Sequence, residues 1–285
     1  FTVTFLLWVK ITRTKLNTIF AIEPGVARTL FKFSYLLPKK TQIIYTHGIA
    51  HQPEYYFWHC SNIIEVNSYN YRLAVEENKK SGSSKQIRLI PHFSPNNHQK
   101  HLRIEKLNSF RKKYKINAQK VIICVGVIHK AIKRTDLVVQ QFASAPADWQ
   151  LILCGEPLDQ EVLDDARDSL EGRLVQITLN RSEMALLYES ATVLVMASIN
   201  EGFGYAIIEA MSHGVPIIAS DTERNRWILK DNESYIDFEK QFSLREFIAE
   251  KLENPGWLER KSVYYRDLHL NHYTWPAVRK KYLQL

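Results

Sequence analysis

The sequence predicts an α/β protein built from two doubly wound parallel sheets, and three observations carry that prediction. Short β-branched runs alternate with helix-like segments along most of the chain, the pattern of strands covered by crossover helices. Residues 91–99, rich in Pro, Asn, Ser and His, interrupt the alternation and read as a linker. A length of 285 residues is long for one domain and comfortable for two.

Taken in order, residues 1–17 read as an amphipathic helix that runs into polar residues. Residues 18–22 read as a strand, broken by Pro24 and Gly25, and 26–37 as a helix stopped by Pro38. Residues 41–46 form a strand that ends at His47 and Gly48, and 63–66 form another. A helix over 69–80 ends at Ser81 and Gly82, and a strand over 87–90 stops at Pro91. Past the linker comes a basic helix over 102–115. Strands over 121–125, 150–154, 174–178 and 192–196 then alternate with helices over 135–145, 158–170 and 182–189. Ser182 and Glu183 suit the first turn of the last of these helices. A helix within 201–213 leads at once into a strand over 215–219, and helices over 242–253 and 275–285 close the chain. The second half is a complete alternation. The first half has too few β-α units, and no glycine-rich turn follows an early strand before Gly25.

Composition narrows the function classes. The hydrophobic fraction is 45%, enough for a sizeable core. Cys124 and Cys154, two of three cysteines, sit in apolar strands and suggest buried thiols in a reducing compartment, not a disulfide framework. The net charge of +8 admits nucleic acid or an anionic membrane surface as partner. The basic residues Lys10, Arg13, Lys15, Lys39, Lys40 and Lys100 are spread out and not interleaved with aromatics, so a nucleic-acid partner is not expected. No run is long enough to span a bilayer. The aromatic run Tyr55, Tyr56, Phe57 and Trp58 suits sugar stacking or lipid contact, with ordinary packing as the alternative.

The densest chemistry lies in residues 201–216. Glu201 and Glu209 stand eight positions apart. Glu201 lies in a loop beside Gly202 and Gly204, and Glu209 lies inside the helix those glycines open, about 7 Å along its axis. Backbone N–H groups at such a helix start bind phosphate, helped by the positive end of the dipole. The offset lets one carboxylate reach sugar hydroxyls near the phosphates and the other reach hydroxyls beyond them.

These residues resemble the retaining glycosyltransferases of family four, which have the two-domain GT-B architecture. The Glu201 to Glu209 spacing matches that family's Glu-x₇-Glu motif, and His213-Gly214-Val215-Pro216 matches the segment after it. Val125-Gly126 with Lys133-Arg134-Thr135 matches the first loop of the donor domain. Leu187-Tyr188 leads into the motif, Ile90-Pro91 matches the interdomain linker, and Tyr45-Thr46-His47-Gly48 matches the strand end that bears the family's histidine. The resemblance covers nearly all of the chain from about Thr18 and is strongest over residues 121–221.

It implies two Rossmann-like domains facing a cleft. Residues 1–91 would be a partial acceptor-side domain, 92–270 the nucleotide-sugar domain, and 271–285 a helix crossing back to the first. Measured against the family, the front of the first domain is missing, so the chain reads as N-terminally truncated.

The implied activity is metal-independent transfer of a hexose, with retention, from a nucleotide-sugar to a hydroxyl of a glycan or glycolipid. No cofactor is expected beyond the donor itself, and no Asp-x-Asp pair or His/Cys metal spacing occurs. By resemblance, Lys133 and the N–H groups of Phe203, Gly204 and Tyr205 neutralise the leaving diphosphate, Gly126 belongs to the same donor-binding set, and Arg134 adds charge. Glu209 bonds the ribose hydroxyls. Glu201 holds the donor sugar near the reacting carbon without acting as nucleophile, and His47 lies near the same sugar. Each has a plainer alternative: surface bases for Lys133 and Arg134, a strand-end histidine for His47, a helix-face acid for Glu209, and an N-terminal acid for Glu201.

Two departures from the family stand out. Val127 replaces the usual arginine after Gly126, leaving Lys130 or Arg134 as substitutes, and Thr222 to Trp227 replaces a paired-glycine segment. They motivate the alternative of a non-catalytic partner or glycan-binding protein. The expected location is the cytoplasm, with peripheral contact to an anionic inner leaflet.

Overall fold

A computed structural model describes residues 17–48, 52–57, 60–96 and 104–284. The helix expected over residues 1–17, the basic residues Lys10, Arg13, Lys15 and Lys100, and Trp58 of the aromatic run lie outside the described residues, save Asn17. The chain divides into two compact units. One is built on residues up to His92 together with Glu201–Phe203, the other on Phe93–Asn200 and Gly204–Leu283.

The first unit is a four-stranded parallel sheet, in the order β1 (Thr18–Ala21), β2 (Gln42–His47), β3 (Asn62–Glu65), β4 (Gln86–Leu89). Ile43, Ile44, Tyr45, Ile63 and Ile64 are almost fully buried, as strands covered on both faces must be. Helix α1 (Pro24–Lys32) starts where Glu23 Oε2 accepts from Val26 N at 2.7 Å, with Pro24 in the first turn. The single helix expected over 26–37 is instead α1 followed by a 3₁₀ turn, Ser34–Leu36. Helix α2 (Ser68–Lys80) is capped by Asn67, whose Oδ1 accepts from Asn70 N at 2.8 Å.

The second unit opens with α3 (Ile104–Lys113). Six parallel strands then follow: β5 (Lys120–Val125), β6 (Trp149–Cys154), β7 (Leu174–Ile177), β8 (Val193–Met196), β9 (Ile217–Ser220) and β10 (Tyr235–Ile236). Their order in the sheet is β10-β9-β8-β5-β6-β7. The chain winds outward from β5 to β7, returns to the middle, and winds the other way from β8. That is the doubly wound order, with its reversal between β5 and β8. Helices α4 (Thr135–Ala143), α5 (Gln160–Ser169), α6 (Met184–Ser190), α7 (Tyr205–His213) and α8 (Glu223–Leu229) connect the strands. Helix α9 (Ser243–Phe247) runs into a π turn, Ile248–Leu252, and α10 (Pro255–His272) and α11 (Trp275–Leu283) follow. The core gathers Ile122, Leu151, Leu153, Val193 and Val195 from the sheet with Val138, Phe142, Leu163 and Trp257 from helices. Each such side chain contributes roughly 1.5–3 kcal/mol by leaving water.

The sequence reading missed α8, β10 and the whole of α10. It placed the start of α6 at Ser182, whereas Asn180 organises that turn: its Oδ1 accepts from Ser182 N at 3.0 Å and Glu183 N at 3.1 Å, and the helix begins at Met184. Cys60, Cys124 and Cys154 are buried free thiols. Burial raises Cys60 to about 12 and Cys154 to about 11, so both stay protonated.

Candidate active site

The loops after β5 and β8 leave neighbouring strands at their C-terminal ends, the edge where doubly wound sheets hold ligands. After β5, Gly126 has φ 132°, and a Cβ there would lie 2.8 Å from Lys133 Cε and 3.4 Å from Nζ. The aliphatic stem of Lys133 therefore lies across this glycine, which brings the ammonium over the turn. Gly155, after β6, is packed against the same turn, since its Cβ would fall 1.9 Å from Gly126 O. The rest of the β5 loop is tied internally. His129 Nδ1 accepts from Ala131 N at 3.0 Å and Ile132 N at 3.3 Å, and Lys133 N donates to His129 O at 3.1 Å.

The basic neighbours are engaged. Arg134, at φ 52° before α4, donates to Glu239 Oε1 at 2.5 Å, and Lys130 to Glu161 Oε2 at 2.8 Å. The two side chains expected to stand in for the arginine at Val127 thus each hold a carboxylate of this unit.

After β8, Gly204 adopts φ 84° and ψ 59° as the N-cap of α7, and no side chain caps the helix. Phe203 is buried and Tyr205 exposed. Glu209, the fifth residue of α7, is half-buried, and its Oε2 accepts from Tyr188 Oη at 2.9 Å. Burial, then the nearby Glu209 charge, raises the Tyr205 phenol as well. Helix α7 ends at Gly214, φ 69°, the left-handed position that glycine takes without cost.

Glu201 lies in the β8–α7 loop, three residues before the cap, and groups with the first unit, as does His47. His47 ends β2, is fully buried, and sits in register with Glu65 at the end of β3. Its Nδ1 is 2.8 Å from Glu65 Oε2, and the Tyr56 hydroxyl donates to Oε1 of the same carboxylate. A carboxylate only accepts, so Nδ1 carries a proton. Among the described residues, Nε2 has no hydrogen-bond partner. The strand-end alternative, a histidine satisfied by backbone, does not describe this ring. His92 is buried as well, and burial lowers it to about 4, so it is neutral near pH 7.

Lys133 with Gly126, on the loop after β5, and Glu209 with Tyr205, on α7, therefore belong to one unit, while His47 and Glu201 belong to the other. Sequence reasoning missed Tyr188 and Glu65 as site partners. An acid closing the apolar strand that ends at Glu65 was the available signal for one. Nothing marked the other beyond its place in a motif. Of the aromatic run, Tyr56 and Phe57 are buried and Tyr55 is exposed. Among the described residues no group of three His, Cys, Asp or Glu could hold a metal, and no helix is long and apolar enough to cross a membrane.

The family model for glycosyl transferases group 1 matches residues 106–266, more than half of the chain. The chain belongs to this family. The O-antigen chain mannosyltransferase RfbU of Salmonella typhimurium is 25% identical over 187 residues, covering 55% of this chain and 51% of that protein. The chain thus spans about half the length of this curated relative. Among solved structures, Anabaena HepE in complex with UDP and glucose superposes with a TM-score of 0.79 at 15% identity, covering 98% of this chain and 80% of that one. Sucrose-phosphate synthase of Thermosynechococcus elongatus gives a TM-score of 0.78 at 17% identity, covering 99% and 75%. These likenesses establish the fold: two Rossmann-like parallel α/β domains of the GT-B class.

Proposed function

We propose that this group 1 chain works as a retaining, metal-independent hexosyltransferase, moving a sugar from a nucleoside-diphosphate sugar to a hydroxyl of a glycan or glycolipid. The observation that carries the reading is the strand-order reversal between β5 and β8. From it depart both the Gly126 turn under Lys133 and the Gly204-capped helix bearing Glu209. The UDP in HepE and the polysaccharide chemistry named for RfbU support a nucleotide-sugar donor and a growing glycan.

In this reading the anomeric C–O bond breaks and its electron pair goes to the diphosphate. The Lys133 ammonium and the N–H groups from Phe203 to Tyr205 stabilise that charge without moving, which is where electrostatic preorganisation acts most strongly. Arg134 shares in this through its place before α4. Glu209 bonds the ribose. Glu201 orients the sugar and steadies the positive charge at the reacting carbon, and His47 Nε2 hydrogen-bonds a sugar hydroxyl. The acceptor hydroxyl attacks the face the leaving group departs from, and its proton passes to the departing phosphate oxygen. Metal is not required, because lysine and backbone supply the positive field. The work takes place on the cytoplasmic face of an anionic membrane, held there by basic and apolar surface.

Calorimetric titration with UDP, GDP and ADP tests the donor site. One nucleotide should bind, and Glu209→Ala should weaken it about 10- to 100-fold, the range for a lost bond to a charged group. Unchanged binding in Glu209→Ala would remove the ribose role. Glu201→Ala should leave nucleotide affinity near wild type and cut sugar transfer about 100-fold or more, as loss of transition-state stabilisation does. Normal turnover in that variant would sink its assignment.

A second reading, a non-catalytic partner or glycan-binding relative, draws on Val127 and on the engagement of Lys130 and Arg134 by Glu161 and Glu239. Tight nucleotide binding with no turnover of any donor would select it.

A further inference from the structure

Glu209 is held by a neighbour that has itself been fixed in place. Tyr188, in the last turn of α6, is 2% exposed. Its ring lies nearly parallel to that of His213 at the end of α7, with centroids 5.4 Å apart and planes 19° apart. His213 Nδ1 in turn is 3.0 Å from Glu189 Oε1, the residue next to Tyr188. Stacking and burial settle both side-chain torsions of the tyrosine, and its hydroxyl donates to Glu209 Oε2 at 2.9 Å. Burial, with the Glu209 charge second, pushes the phenol well above its usual range, so it remains a donor at any working pH.

A glutamate on a helix has three torsions to order before it can grip a ligand, and ordering them costs side-chain entropy. A carboxylate offers about four acceptor positions on its two oxygens. Tyr188 occupies one of them from a fixed direction, which sets the plane of the group and leaves Oε1 to be presented. Preorganisation of this kind raises affinity without adding a contact to the ligand.

We propose that Tyr188 is a positioning residue for the nucleotide ribose: its hydroxyl fixes the Glu209 carboxylate so that the free acceptor positions meet the 2′- and 3′-hydroxyls. The role rests on the reading of Glu209 given above, and it runs wholly through that carboxylate. It therefore predicts an effect that depends on the ribose hydroxyls and on nothing else in the ligand.

The experiment is titration of wild type and Tyr188→Phe with UDP, GDP and ADP and with the 2′,3′-dideoxy form of each. Tyr188→Phe removes one oxygen and keeps the ring, so the stack on His213 and the fold should survive. The variant should bind the ribonucleotide about 5- to 20-fold more weakly, less than the loss of a whole hydrogen bond to a charged group because the bond to the ribose itself is kept, and bind the dideoxy form like wild type. His213→Ala, which removes the ring stacked on Tyr188 and leaves Glu209 in place, should shrink the preference for ribose in the same direction and serves if Tyr188→Phe fails to fold. Equal losses on both ligand forms would show that Tyr188 supports the fold alone. Wild-type affinity of Tyr188→Phe for the ribonucleotide would overturn the positioning role and leave the Glu209 reading standing. Wild-type affinity of Glu209→Ala, or no binding of any nucleotide by wild type, would overturn both.

Discussion

At the scale of single residues, the glycines that follow β5 and β6 do different work and can be told apart by mutation. Gly155 is pinned by backbone: its Cβ would fall 1.9 Å from Gly126 O, and strand geometry holds both chains through Gly126 N to Cys154 O and Gly155 N to Ile177 O, each 2.9 Å. Nothing there can move without breaking the ladder. Gly155→Ala should therefore destabilise the protein by about 3 kcal/mol or more, at the upper end of overpacking costs. The atoms nearest a Cβ on Gly126 all belong to the flexible side chain of Lys133. Gly126→Ala strains φ at 132° but mainly displaces the lysine. It should lose nucleotide affinity about 10-fold for a smaller loss of stability, roughly 1 kcal/mol. Urea unfolding beside nucleotide titration reads both quantities. Similar losses in both variants would mean that Lys133 does not depend on that turn. The two glycines look alike in the sequence. Gly126 was legible because it follows a strand and precedes a lysine at family spacing. Gly155 was not, because what constrains it is a neighbouring chain 29 residues away.

At the scale of elements, the strands were the easiest to read, since parallel strands buried on both faces appear as unbroken apolar runs, as in the Ile122 to Cys124 and Leu151 to Cys154 stretches. Helix α10 was invisible for the opposite reason. Its buried residues include Lys261 and His269 beside Trp257, Tyr265 and Leu268, so no apolar stripe marks it. Its start signal was present: Asn254 Oδ1 accepts from Gly256 N at 3.0 Å and Trp257 N at 3.3 Å, with Pro255 in the first turn. Helix α10 also presses on the end of α7, where Arg266 Nε lies 2.2 Å from the Cβ position of Gly214. It thus braces the helix that carries Glu209. Lys261 fastens it, with Nζ 2.7 Å from both oxygens of Asp231, and both side chains are nearly buried. Burial opposes the Asp231 charge, but bonds from Lys261, Ser234 and the Glu233 N–H outweigh it and hold the carboxyl below its usual range. Lys261→Met would strand that charge and should cost about 3–5 kcal/mol at neutral pH. Because the folded carboxyl is depressed, the wild-type contribution is present above the ordinary aspartate range and is lost as pH falls through the depressed value. The gap between variant and wild type should accordingly narrow in acid. A gap that stays constant with pH would assign the loss to packing.

At the scale of the whole molecule, the net charge of +8 is a statement about partners and not about fold. The sequence left two anionic partners open, nucleotide and membrane, and set nucleic acid aside. The first unit sharpens the choice, because it combines charge with exposed apolar surface. Phe33, Tyr35 and Leu36 are exposed in the turn after α1, with Phe20 and Ile22 exposed at β1, and Lys32, Lys39 and Lys40 are exposed in the same stretch of chain. Lys32 Nζ lies 5.7 Å from the centroid of the Phe33 ring. Apolar side chains interspersed with lysines suit the headgroup boundary of an anionic leaflet, where each base near the surface is worth about 1 kcal/mol. They suit a phosphate backbone poorly, since nothing would cover the apolar part. Sedimentation with vesicles separates these cases. Vesicles of phosphatidylcholine with phosphatidylserine should carry the protein down at low salt, and phosphatidylcholine alone should not. Raising the salt should release only part of it, because the apolar component is not screened. Tyr35→Ser with Leu36→Ser should make the remaining binding fully salt-sensitive. Complete release of wild type by moderate salt would reduce the contact to charge alone, and equal binding to both kinds of vesicle would remove the role of the lysines.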